Sequence, residues 1–147
     1  MHKLICSCFG IGHVKGGGTF AALAFCIAWY FFCNNGCSNF LLIAASLAIT
    51  ALGIWSAGKV EADWGEDSSK VVIDEAVGMY VSLLFLPVQI KYIITAFILF
   101  RFFDIAKPLF IRRLEKLPHG WGVMADDLLA GIYTNLIMQI IVISNLF

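Results

Sequence analysis

Phe100-Arg101-Phe102-Phe103-Asp104-Ile105-Ala106-Lys107-Pro108 closes a long apolar run that begins near Ile90. Three charges arrive there at a spacing of three residues: Arg101, Asp104 and Lys107. On a helix these fall on one face. A charge at the edge of a membrane-length segment is costly unless paired, and such a residue is a functional-site hypothesis by default. Snorkelling to headgroups accounts for an arginine or a lysine. It does not account for Asp104, whose short carboxylate has no such reach.

The rest of the chain fits a membrane setting. Its 147 residues suffice for one domain, taken as residues 1–147. Hydrophobic residues make up 61% and charged residues only 14%, against about 25% charged in soluble domains. Mean hydropathy is +0.88. The expected fold is an all-α polytopic membrane helix bundle, with about four to five membrane helices and an interfacial site on the cytoplasmic side. Net charge is zero, so no global field recruits nucleic acid.

Five cysteines, Cys6, Cys8, Cys26, Cys33 and Cys37, form neither a disulfide framework nor a zinc knuckle. Their expected role is that of small buried hydrophobes. Cys33 and Cys37 flank an Asn-Asn-Gly turn and could bridge on an oxidising side. No cleavable signal is evident, because the first long apolar run follows a glycine-rich loop.

That loop reads Gly10-Ile11-Gly12-His13-Val14-Lys15-Gly16-Gly17-Gly18-Thr19. Glycines let backbone N–H groups approach an anion, and a helix starting just after them adds a positive dipole end. It is neither a Walker motif nor a dinucleotide fingerprint. A flexible interfacial loop is the plainer reading. Apolar helices are expected over 20–33, 40–57, 71–86, 88–103 and 128–147, with 71–86 or 20–33 as half-spans in the alternative. Pro87 separates the third from the fourth. Residues 58–69, which include Glu66 and Asp67, read as a solvated loop, and 104–127 as a long polar connection.

Orientation follows from lysine and arginine. With a cytoplasmic N-terminus, five spans place nine of them on that side (Lys3, Lys15, Lys59, Lys70, Arg101, Lys107, Arg112, Arg113 and Lys116) and only Lys91 opposite. The same arrangement gathers the glycine-rich loop and three acidic stations on one face. The stations are Asp74-Glu75, Asp104 and Asp126-Asp127.

An acid at a helix start has a plain explanation as a cap or dipole partner. One residue of each pair fills that role, and its neighbour points about 100° away. Like charges gathered at one face repel unless a cation or bases lie between them. Hard oxygen ligands without clustered histidine or cysteine suit Mg²⁺ or Mn²⁺. Arg101 and Lys107 beside them suit phosphate oxygens. Carboxylates, a metal and bases at headgroup level point to phosphoryl chemistry on a lipid.

Three motifs resemble the phosphatidylglycerophosphatase A family. They are Asp74-Glu75-Ala76-Val77-Gly78, then the stretch from Phe100 to Pro108, then Gly120-Trp121-Gly122-Val123-Met124-Ala125-Asp126-Asp127-Leu128-Leu129-Ala130-Gly131. The chain departs from the family pattern in its first loop, which lacks Ala-Pro before Gly18-Thr19 and Gly-Ser after it. Phe110 also stands where the family often has a second proline.

The resemblance implies a Mg²⁺-dependent phosphatase of glycerophospholipid synthesis. It would be multi-pass in the inner (cytoplasmic) membrane, with a phospholipid substrate and its site facing the cytoplasm. The expected metal ligands are Asp74, Glu75, Asp104, Asp126 and Asp127. Arg101 and Lys107 are expected to neutralise the phosphoryl oxygens, with Gly18 and Thr19 as further substrate donors.

Other phosphatase chemistries leave traces that are missing. There is no Cys-x5-Arg loop and no Asp-x-Asp-x-Thr/Val run, and His2, His13 and His119 lack arginine-rich company. Two other readings stay open: a small transporter or non-catalytic scaffold, and a phosphatase for another lipid phosphate. A transporter wants charges near mid-membrane and inverted repeats, and neither is visible.

Overall fold

The computed structural model of the chain describes residues 1–34, 36–65 and 68–146. Its elements are α1 (His2–Cys6), a 3-10 turn (Ile11–His13), α2 (Gly17–Cys33), α3 (Asn39–Trp64), α4 (Ile73–Leu83), α5 (Ile90–Ala106), α6 (Ile111–Leu114) and α7 (Gly120–Ile143). No strand occurs among the described residues. The all-α expectation therefore holds. Glu66, Asp67, Asn35 and Phe147, which fell in the expected loop, turn and last helix, lie outside the described residues.

Two helices, α3 and α7, are long and apolar enough to cross a membrane, and α2 is a shorter apolar helix. Large apolar side chains cover the outside: Phe31 is 70% exposed, Phe32 80%, Leu47 66% and Ile140 67%. Apolar surface on this scale marks a face meant for something other than water. The expected third segment, 71–86, is helical only over Ile73–Leu83. Eleven residues rise about 16 Å, roughly half of a ~30 Å hydrocarbon core.

This short helix is the centre of the fold. Ile73, Val77, Gly78, Met79, Tyr80, Ser82 and Leu83 are buried, so α4 is covered nearly all round, as a core helix must be. It packs on α2, α3, α5 and, most extensively, α7. The α4–α7 crossing is backbone on backbone: a Cβ added to Gly131 would lie 2.4 Å from the Gly78 carbonyl oxygen. Only glycine permits that approach.

The far end of α4 is buried, and its last carbonyls need donors. Asn135 Nδ2 donates to the carbonyls of Ser82 (3.2 Å) and Leu84 (2.8 Å). Gln139 Nε2 donates to Leu84 O at 3.2 Å. Two polar side chains inside the apolar α7 thus finish α4. Trp29 is also buried, against Phe25 and Tyr80, and is a core residue.

Element boundaries differ from the sequence reading where glycines fall. Residues Gly17–Thr19 form the first turn of α2, and Gly58–Trp64 extend α3 by nearly two turns. Helix α7 begins at Gly120, so Asp126 and Asp127 lie within its second turn and do not open it. At Gly120 a Cβ would come within 2.3 Å of Ile54 O. Helix α5 ends at Ala106, and Lys107 after it takes a left-handed conformation (φ 44°) ahead of Pro108. Lys3 pairs with Asp63 at 2.9 Å and ties α1 to the end of α3.

Candidate active site

The start of α2, the start of α4, the end of α5 and the second turn of α7 meet at one end of the bundle. At their junction the carboxylates of Asp74, Glu75 and Asp127 approach so closely that one ligand oxygen from each lies within 4.8 Å of the others. Asp74 and Asp127 are 8% and 3% exposed. Asp74 Oδ1 accepts the N–H of Glu75 at 3.0 Å, which fixes that carboxylate against its own helix turn.

Glu75 is the open member. Its Oε2 is buried and meets no hydrogen-bond partner among the described residues. Its Oε1 fills the space where a side chain at residue 18 would begin, 1.7 Å from an ideal Cβ on Gly18. A buried carboxylate oxygen with no donor is costly. Three carboxylates packed this closely repel one another unless a cation lies among them. The donor set is all oxygen and fits a hard divalent ion.

Asp104 flanks this group. Its carboxyl neighbours that of Asp127. Arg101 Nη1 in turn donates to Asp104 Oδ2. Both side chains are largely buried, at 18% and 15% exposure. The four acids Asp74, Glu75, Asp127 and Asp104 therefore run as one chain ending on a guanidinium.

Asp126 is not brought into that group. Its Oδ1 accepts the N–H of Asp127 at 3.0 Å, and its Oδ2 accepts from Lys107 Nζ at 2.6 Å. Lys107 also donates to Glu115. Burial alone would lower the Lys107 pKa. The hydrogen bonds and charges of Asp126 and Glu115 outweigh it and hold the ammonium above its ordinary 10.5. Lys107 was expected on one face with Arg101. Its left-handed backbone past the helix end carries it to α7 instead, where it is engaged by two carboxylates. Asp126 faces a separate cavity of about 360 Å³, lined also by Glu61, Glu115 and His119.

A larger cavity, about 640 Å³, opens beside the acidic group. The glycine-rich loop forms one wall, including Gly18 and Thr19, and Glu75 and Arg101 line it as well. Gly18 and Thr19 sit in the first turn of α2, where N–H groups have no intrahelical acceptor. Lys15 and Lys70 also line this cavity. Lys15 falls within the glycine-rich loop, but in the sequence both lysines bear only on membrane orientation, and nothing local to Lys70 marks it as part of a site. The same is true of Glu115, the second partner of Lys107.

Cys6 and Cys8 lie near this end. Burial pushes both thiols up to about 11, with the Glu75 charge a further cause for Cys8. Both are thiols at neutral pH and poor nucleophiles, which agrees with the lack of a cysteinyl-phosphate motif.

The family profile described as Phosphatidylglycerophosphatase A matches residues 4–142. Among curated relatives, a Bacteroides thetaiotaomicron protein named "Putative phosphatidylinositol-3-phosphatase" is 43% identical over 84% of this chain and 81% of its own length. A Haemophilus influenzae protein named phosphatidylglycerophosphatase A is 42% identical over 70% of this chain and 64% of its own length. The Escherichia coli protein of that name is 31% identical over 78% of this chain and 67% of its own length. No solved structure matches.

Proposed function

The chain belongs to the phosphatidylglycerophosphatase A family and is a phosphatase, and from that premise we propose that it hydrolyses the terminal phosphomonoester of phosphatidylglycerophosphate to give phosphatidylglycerol. The observation that carries the reading is the junction of Asp74, Glu75 and Asp127 beside a cavity that also holds Arg101 and the start of α2.

In this proposal Asp74, Glu75 and Asp127 hold a divalent cation, Mg²⁺ by the chemistry of the donors, with Asp104 next to them. When bound, the cation supplies charge neutralisation at the phosphoryl group and acidifies a water at neutral pH. Arg101 turns its guanidinium to the phosphoryl oxygens, and Asp104 fixes its direction. The N–H groups of Gly18 and Thr19 and the Thr19 hydroxyl bind the remaining oxygens. One of the carboxylates takes the proton of the attacking water. Lys107 acts at one remove, by holding Asp126 and thereby the turn that carries Asp127. The chain sits in the inner membrane with four to five apolar segments in the bilayer, acyl chains alongside the helices and the site at the cytoplasmic headgroup level.

A second reading has one observation behind it. The Bacteroides relative bears a name that gives it a 3-phosphorylated inositol lipid. The test is inorganic phosphate release by the detergent-solubilised chain, with and without Mg²⁺. Phosphatidylglycerophosphate, phosphatidylinositol 3-phosphate and phosphatidic acid are offered in turn. Mg²⁺-dependent release chiefly from the first supports the proposal. Preference for the second transfers the site to an inositol lipid. No release from any of them would leave a scaffold or transporter.

A further inference from the structure

The cavity beside the acidic group is lined by three cations, Lys15, Lys70 and Arg101, against one carboxylate, Glu75. Arg101 is answered by Asp104, Lys3 by Asp63, and Lys107 by Glu115 and Asp126. Lys15 and Lys70 line the same cavity as Arg101 and Glu75 and make no ion pair among the described residues. Lysines with no ion-pair partner among the described residues, set around a concave space, attract an anion.

This wall of the cavity is built. The glycine-rich loop lies directly on the Lys70 backbone, since a Cβ at Gly12 would sit 2.1 Å from Lys70 O. The Lys70 ammonium lies 5.6 Å from the centroid of the Trp64 ring. The His13 ring meets the same indole edge-on at 5.8 Å. One tryptophan thus steadies the Lys70 side chain and the loop that carries Lys15.

We propose that Lys15 and Lys70 form a second anion subsite that binds the phosphodiester of the lipid headgroup, while Arg101 and the acidic group take the phosphomonoester. The inference rests on the proposed substrate, whose headgroup carries both esters joined through one glycerol. The lysines are positioning residues. They set which phosphorylated lipids present their monoester to the acids, and they take no part in the bond that breaks.

The experiment uses the full chain in neutral detergent, comparing wild type with Lys15→Gln/Lys70→Gln and with Lys15→Arg/Lys70→Arg. Three quantities are read: KM and kcat for phosphatidylglycerophosphate, the inhibition constant of glycerophosphoglycerol, and that of inorganic phosphate. Glycerophosphoglycerol offers the diester without a monoester or acyl chains. In the glutamine variant its inhibition constant and the substrate KM are expected to rise about tenfold, a loss the size of one or two charge-assisted contacts. The kcat and the inorganic phosphate constant stay within about twofold, and the arginine variant recovers most of the loss.

Unchanged inhibition by the diester, equal rises for both inhibitors, or no inhibition of wild type by the diester would each overturn the subsite. Lysines that serve only to anchor the protein to anionic lipid would leave both soluble inhibitors unaffected. Failure of wild type to release phosphate from phosphatidylglycerophosphate would instead overturn the proposed substrate, and the subsite with it.

Discussion

Glu75 Oε1 occupies the space that any side chain at residue 18 would need, 1.7 Å from an ideal Cβ on Gly18. A glycine in the first turn of α2 and an acid in the first turn of α4 are thus one device. The loop can approach the carboxylate only because it carries no side chain there.

Gly18→Ala should therefore displace the Glu75 carboxylate. Misplacing a catalytic group by about 1 Å costs on the order of 100-fold in rate, and that loss is expected in phosphate release. Stability should change by less than about 1 kcal/mol, because alanine is the better helix former. Activity and thermal unfolding in detergent, measured together, check the separation.

Gly131→Ala should do the reverse. Its Cβ would meet backbone, the Gly78 carbonyl at 2.4 Å, so α7 must move off α4. Overpacking of this kind costs about 1–3 kcal/mol. Gly58→Ala is the control: its Cβ finds its nearest neighbour at 3.6 Å, an ordinary contact, and its melting temperature should hold or rise slightly.

Lys107→Met leaves Asp126 buried without its counter-charge. Breaking one side of a buried pair costs about 3–5 kcal/mol, and the lower end applies because the Lys107 side chain is 22% exposed. Lys107→Met/Asp126→Asn should recover much of the loss, as a double-mutant cycle would show. The pH dependence has a fixed sign. The folded pKa of Lys107 lies above its ordinary 10.5, so its stabilisation is complete below that value. It fades as pH rises through the folded pKa. Wild type should lose stability in strongly alkaline solution, and Lys107→Met should lose less.

Cys8, its thiol pushed up to about 11, should resist iodoacetamide near neutral pH. Labelling should quicken only as the solution becomes strongly alkaline. Cys8→Ser should keep phosphatase activity. Peptide mass mapping against pH reads the first, and phosphate release the second.

Much of this was legible in the chain. Apolar runs announced the helices, and position at the ends of those runs singled out Asp74, Glu75, Asp104, Asp126 and Asp127. Four things depended on tertiary structure. Glycine is a poor helix former, so Gly17–Thr19 and Gly120–Gly122 read as loop. They are helical because close backbone contacts, such as Gly120 against Ile54 O, require glycine there. The choice between Asp126 and Asp127 is a rotation of about 100° on a helix whose start could not be read. The spacing of three puts Lys107 on one face with Arg101, but its own left-handed backbone before Pro108 redirects it. Lys15 and Lys70 are far apart in sequence and meet only across the cavity.

The central claim, that acids from α4 and α7 converge around a divalent ion, is tested most directly by Mn²⁺ binding. The ion would be followed by electron paramagnetic resonance on the detergent-solubilised chain, with Asp127→Asn and Asp126→Asn as variants. The expected result is saturable binding to wild type, loss of more than about tenfold in affinity for Asp127→Asn, and near-wild-type affinity for Asp126→Asn. Equal binding to wild type and Asp127→Asn, or no binding to wild type, would contradict the claim.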